Sequence, residues 1–299
     1  MKKALYILIV LFAFGCDSSS EKDNLKMLTS KEDTTKAISV SRSVLDEMIR
    51  TLPSPIEIAN IITKSDRNFN KDILVPTEIS ENVPDKHSQA LLLGGYGVDL
   101  GYLNLNNKTI YVIGYLEAIR NVAKELKVEQ YFDFSTMSDL AKNRNNVDSL
   151  ISISTNNFNQ IDEYFRSQNR GDLSVLILVG SWIEGLYMFN DIALKDPNED
   201  IVKRIGEQKV IIDNIFAILS KIENIEYYKG LKEKLAPLKK TFDKIKISYV
   251  YHEPITKEVN GELVIEDNTE TIILMTKEDM ESISKEINAL RNVLFLIKK

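Results

Sequence analysis

The chain has 299 residues, of which 43% are hydrophobic and 27% charged, with a formal net charge of -6. A chain of that length and make-up can bury a sizeable core without disulfides, and its single cysteine leaves it no disulfide, thiolate metal site or second reactive thiol. An acidic balance with scattered lysines and no basic stripe argues against nucleic-acid binding, which rests on neutralising phosphates.

Met1-Lys2-Lys3 give a positive start, and Ala4 to Gly15 carry no charge. Twelve uncharged residues fall short of the roughly 20 that a spanning helix needs, but they fit the apolar region of an export signal. A short uncleaved membrane anchor is the competing reading. Ala13-Phe14-Gly15 offers a small-x-small cleavage site, and cutting there leaves Cys16 as the new N-terminus. The stretch from Leu11 to Cys16 resembles the bacterial lipobox, with Leu11 five positions before the cysteine where the usual pattern has three. The resemblance implies cleavage after Gly15, a diacylglycerol on the Cys16 sulfur and an acyl group on the freed amine. Two or three acyl chains hold a protein to a bilayer stably, at about 0.8 kcal/mol per buried CH₂.

Residues 17–36, "DSSSEKDNLKMLTSKEDTTK", are polar and poor in apolar residues, as a disordered tether would be. This tract, with the high Asn, Lys and Ile content, resembles uncharacterised lipoproteins of the Bacteroidetes type with a helical envelope domain. That resemblance implies an address in the cell envelope, at the outer membrane, with the periplasmic and surface faces both open. The implied partners are the membrane, through the lipid anchor, and an envelope protein or small ligand.

From residue 37 onward the spacing predicts one helical domain, a mainly α multi-helix bundle of antiparallel hairpins. Ile38, Ser41, Leu45, Met48 and Leu52 form a first stripe, stopped by Pro53. Ser54-Pro55-Ile56-Glu57 reads as a capping box opening a short helix to about residue 64. Residues 65–86, with Pro76 and Pro84, read as a loop. Residues 91–105 and 173–189 are apolar on nearly all sides, the mark of helices buried all round. Amphipathic helices are predicted over 109–126, 147–165, 199–222 and 230–246, the last with a break near Pro237. "KISYVYHE" (246–253), "GELVIED" (261–267) and "TETIILMT" (269–276) alternate with period two. With the turn signal Asn260-Gly261 they predict two or three antiparallel strands packed on the bundle. Met280, Ile283, Ile287, Leu290, Leu294 and Ile297 mark the last helix, capped by Thr276 with Asp279.

The two buried helices share the spacing Gly-x-x-aliphatic-acid-x-x-Tyr, in Gly95…Asp99…Tyr102 and Gly180…Glu184…Tyr187. Each precedes an amphipathic helix holding Ile-Gly, at Ile113-Gly114 and Ile205-Gly206, so a two-fold repeat near 88–126 and 172–222 is one reading. Offsets of four and seven share a helix face. Asp99, Tyr102, Glu184 and Tyr187 are therefore the candidate polar network or ligand site. A buried carboxylate needs a partner; the tyrosine hydroxyls, or Arg120 or Arg204, are the expected ones. Trp182, two residues from Glu184, falls on another side of its helix.

His87 and His252 read as surface and strand-end residues outside any metal-ligand pattern, and no metal or cofactor is expected. The glycine cluster at 94–97 lacks phosphate-loop spacing, and "GSWIEG" is not Gly-x-Ser-x-Gly. Three readings follow: a lipid-anchored binding or scaffold module, an envelope enzyme using Asp99 and Glu184, and a module that recruits a protein through its β element and last helix.

Overall fold

The computed structural model describes residues 69–142, 147–223, 225–259, 262–266 and 268–297. The lipobox with Cys16, the tether and the helices predicted over 38–52 and 54–64 lie outside these residues, as does the Asn260-Gly261 turn.

The chain forms a mainly α multi-helix bundle with a small antiparallel β element before the last helix. After two short 3-10 turns (Lys71–Ile73 and Thr77–Glu81) come α1 (Lys86–Leu105), α2 (Thr109–Leu126), α3 (Phe134–Lys142), α4 (Val147–Ser167), α5 (Gly171–Lys195), α6 (Glu199–Lys221) and α7 (Glu226–Asp243). Strands β1 (Lys246–Val250), β2 (Ile255–Val259), β3 (Glu262–Glu266) and β4 (Glu270–Leu274) lead into α8 (Lys277–Leu294).

Local chemistry sets these boundaries. The Asp85 carboxylate accepts the His87 and Ser88 amides at 2.9 and 3.1 Å and so caps α1, satisfying donors that have no partner within the helix. Asn198 caps α6 in the same way through the Ile201 amide at 2.9 Å. Thr276 and Asp279 close a reciprocal capping box on α8, as the sequence predicted. On α2 the predicted stripe Val112, Tyr115, Ile119, Val122 and Leu126 is the buried stripe.

α1 and α5 form the centre of the bundle. α5 is long and apolar enough to cross a membrane, but 83% of its most apolar window is buried inside the protein. The two helices touch backbone to backbone. A Cβ added at Gly94 would lie 2.0 Å from the Ile177 carbonyl oxygen, and one added at Gly180 would lie 2.0 Å from that of Leu91. Ser181 Oγ closes the crossing, donating toward the Gly94 and Ile177 carbonyls at 3.2 and 3.0 Å. This reciprocal contact makes Gly94 the counterpart of Gly180, one residue out of register with the spacing seen in the sequence. Gly95 lies instead against the Phe295 ring. The two Ile-Gly pairs occupy unlike surroundings: Ile113 and Gly114 face solvent, while Ile205 is buried and Gly206 packs on Ile273 of β4.

Three local expectations are corrected. α7 runs through Pro237 without a break. Proline removes an amide that would bond the carbonyl four residues back, and here both Pro237 and Glu233 are exposed, so water can serve that carbonyl. The β element has four strands rather than two or three. The run at 246–253 stops at Val250, and Ile255–Val259 forms an additional strand. β1 pairs with β4 and β2 with β3, both antiparallel, as two two-stranded ladders nested in one excursion of the chain. Helix α3 was not anticipated; Asp133 starts it, accepting the Thr136 amide at 2.9 Å.

Candidate functional site

Five residues beyond Gly94 and four beyond Gly180, Asp99 and Glu184 meet, so α1 and α5 leave their crossing in the same sense. Both side chains are 0% exposed. The partner of Glu184 is neither Arg120 nor Arg204 but Arg291 of α8. Its Nε and Nη2 donate to the two Glu184 oxygens at 2.6 and 2.8 Å, a bidentate pair. Tyr187 offers its ring rather than its hydroxyl, with the guanidinium 4.1 Å from the ring centroid. Arg120 instead lies over the Phe134 ring and 3.7 Å from Glu129, and Arg204 pairs with Glu207 one turn along its own helix.

What these groups hold is the segment 69–76, read from the sequence as a plain loop. Ile73, Leu74 and Val75 are buried, which obliges their backbone groups to find partners. The Val75 amide donates to Asp99 Oδ2 at 3.0 Å. The Val75 carbonyl accepts the Tyr115 hydroxyl at 2.7 Å, the Pro76 carbonyl that of Tyr96 at 2.9 Å, and the Ile73 carbonyl accepts Arg291 Nη2 at 2.7 Å. Tyr102 takes part at the far end, where its oxygen accepts the Asn70 amide at 3.4 Å and its ring stacks on Phe69. Side chains from α1, α2 and α8 thus grip an irregular strap by its main chain, with Glu184 of α5 holding Arg291 in place. Of the four residues singled out from the sequence, Asp99, Glu184 and Tyr187 gather round Arg291 and Tyr102 stands apart.

The electrostatics decide how the acids coexist. Burial pushes the Asp99 carboxyl well above its ordinary range, and the Glu184 charge adds to this; Arg291 and the Val75 amide oppose it. Burial raises Glu184 as well, and the guanidinium with its two hydrogen bonds offsets only part of that rise. Asp99 Oδ1 finds no hydrogen-bond donor, yet it lies within hydrogen-bond reach of Glu184. Two acids in this position share one proton. The bidentate Arg291 pair favours the charged form of Glu184, and Asp99, raised further and without such a pair, is the acid to which we assign the proton. Protonated Asp99, ionised Glu184 and Arg291 sum to zero charge, the condition for burying all three without a large penalty. The same desolvation raises the Tyr96 and Tyr115 hydroxyls, so both remain donors.

Arg291 was missed in the sequence although its signal is there: it sits four residues after Ile287, on the face that buries Ile283, Ile287 and Leu294. A charge on a buried stripe requires a buried counter-charge. Trp182 does fall on another side of α5, donating to Gln208 Oε1 of α6 at 3.0 Å. His87 is not a plain surface residue: its ring stacks on Tyr227 with centroids 4.0 Å apart, docking the start of α1 on α7. His252 follows β1 and is exposed beside Glu270, at 3.8 Å. Among the described residues no group of acids, histidines or cysteines is placed to hold a metal ion.

Comparison with family models, curated proteins and solved structures gives no match to this chain.

Proposed function

We propose that the chain is a lipid-anchored protein of the cell envelope whose body serves as a binding or scaffold module. The anchor reading rests on Leu11 to Cys16 and the polar tract behind it. The body reading is carried by one observation: the most distinctive acids, Asp99 and Glu184, are wholly enclosed and committed to Arg291 and the strap. A carboxylate used as an acid, base or nucleophile must reach a substrate; reaching either of these would require displacing protein atoms. Their arrangement supports a mechanical role. The strap is the first described segment of the chain, and side chains from three helices, α1, α2 and α8, hold its main chain.

Protein recruitment is the second reading, favoured by the β element. Tyr249, Tyr251, Leu263 and Leu274 are 65%, 72%, 78% and 61% exposed, and two-stranded ladders leave edges on which a partner strand can pair.

Metabolic labelling with a clickable fatty acid, followed by membrane fractionation, tests the proposal. Label and membrane residence are expected in the wild type and absent from Cys16→Ala. An unmodified thiol in the mature chain, or residues 1–15 still attached by mass spectrometry, would refute the anchor.

A further inference from the structure

A cavity of about 690 Å³ opens between the Thr77–Glu81 turn, the first turns of α1 and the second half of α2. It takes no part in the buried network, and its size falls within the roughly 300–1,000 Å³ of small-molecule sites. Its polar floor is made by Ser80, Gln89 and Asn121. Ser80 and Gln89 are 6% and 7% exposed. Asn121 Nδ2 donates to Ser80 Oγ at 3.3 Å, and Gln89 Nε2 to the Val83 carbonyl at a long 3.4 Å. Gln89 Oε1 has no hydrogen-bond partner. A buried acceptor left unpaired is costly, and because Gln89 lines the cavity a ligand hydroxyl held there could supply the missing donor.

The chemistry of the lining narrows the guest. Amides and hydroxyls both donate and accept, which matches a ligand whose own groups do the same. Glu81, Lys124 and Glu125 stand exposed around the mouth. Their mixed signs set up no strong field for an ion of either charge. Val83 and Pro84 give the wall a small apolar surface suited to C–H groups. We infer that this cavity binds a neutral, polyhydroxylated small molecule, with Gln89 and Asn121 reading its hydroxyls and Val83 and Pro84 covering its carbon face. The inference rests on the binding-module reading and supplies its ligand class, but it does not require acylation of Cys16.

The test is a titration of the full chain in detergent with four neutral polyols (mannitol, trehalose, sucrose and N-acetylglucosamine), with spermidine and citrate as charged controls. Heat of binding and the side-chain amide resonances are read together. At least one polyol is expected to bind and shift the Gln89 and Asn121 signals. Affinity should fall about tenfold or more in Gln89→Leu and Asn121→Ala, and stay unchanged in Cys16→Ala. Gln89→Leu removes the unpaired acceptor together with the long bond to the Val83 carbonyl, so its melting temperature should stay close to that of the wild type, which separates lost binding from lost folding. Four outcomes overturn the inference: no polyol binds, a charged control binds more tightly, binding survives Gln89→Leu, or the amides exchange with water only. A Cys16→Ala chain that stays at the membrane and still binds the polyol would sink the anchor alone.

Discussion

At the scale of single residues, the protonated Asp99 makes isosteric substitutions unequal. In Asp99→Asn the carboxamide oxygen can accept the Val75 amide, and its NH₂ can donate to Glu184, reproducing both bonds of the protonated acid. We expect that variant to lie within about 1 kcal/mol of wild type in urea denaturation. Glu184→Gln leaves the Arg291 guanidinium buried without its counter-charge, at a cost of about 3–5 kcal/mol. Equal losses in the two variants would show Asp99 to be ionised. The pH dependence carries the same signature. With its folded pKa raised, Asp99 keeps its proton in the native state while the unfolded chain releases it above about pH 4. Its contribution is complete below that pH and drains away as pH rises toward the raised folded value. The slope is at most about 1.4 kcal/mol per pH unit. The difference in stability between wild type and Asp99→Asn should therefore shrink or reverse from pH 5 to pH 8; a difference flat with pH would refute the shared proton. Half of this site could be read from the chain. Asp99 and Glu184 announce themselves as acids in apolar helices, but Arg291 is 107 residues from Glu184. No local spacing shows which arginine a fold will bring to a buried acid, although Arg291 on its apolar stripe was a fair signal.

At the scale of elements, the helices with strong periodicity were legible to within a few residues, because burial of one face dictates both period and length. What escaped was governed by contacts from elsewhere. The strap 69–76 looks like a loop locally and is core only because three helices, α1, α2 and α8, supply partners for its main chain. The glycine of α1 that matters was misassigned because Gly94 and Gly95 are neighbours, and only the crossing distinguishes them. That distinction can be tested. In Gly180→Ala the new methyl meets the Leu91 carbonyl, which is backbone and cannot swing aside. Separating α1 from α5 should cost about 3 kcal/mol or more, at the upper end of overpacking. Gly114→Ala faces open space on α2, where removing a glycine from a helix gains about 0.5–1 kcal/mol. Chemical denaturation of both variants checks this, and a Gly180→Ala as stable as wild type would mean the helices are not in backbone contact.

At the scale of the whole molecule, the β element stands to the bundle as an arm to a body. Its near ladder is fastened by Ile273 against Gly206, whereas the β2–β3 ladder makes no sizeable contact with any helix among the described residues. Two-stranded ladders are marginal on their own, and this excursion also leaves Tyr251 and Leu263 bare. Such a feature adds little to the fold that carries it, so a role outside the fold is the simpler account. Val250 and Glu270 face each other on the last rung of the near ladder, which allows residues 251–269 to be replaced by a two-residue turn. We expect the shortened chain to melt within about 4 °C of the wild type, the shift that roughly 1 kcal/mol produces in a body of this size. Any partner recruited through the β2–β3 ladder should no longer co-purify with it. Ile273→Asp, by contrast, places a charge on the α6 seam and should lower the melting point by well over that amount. A shortened chain that melts as early as Ile273→Asp would make the arm a working part of the bundle and remove the ground for treating it as a recruiting surface.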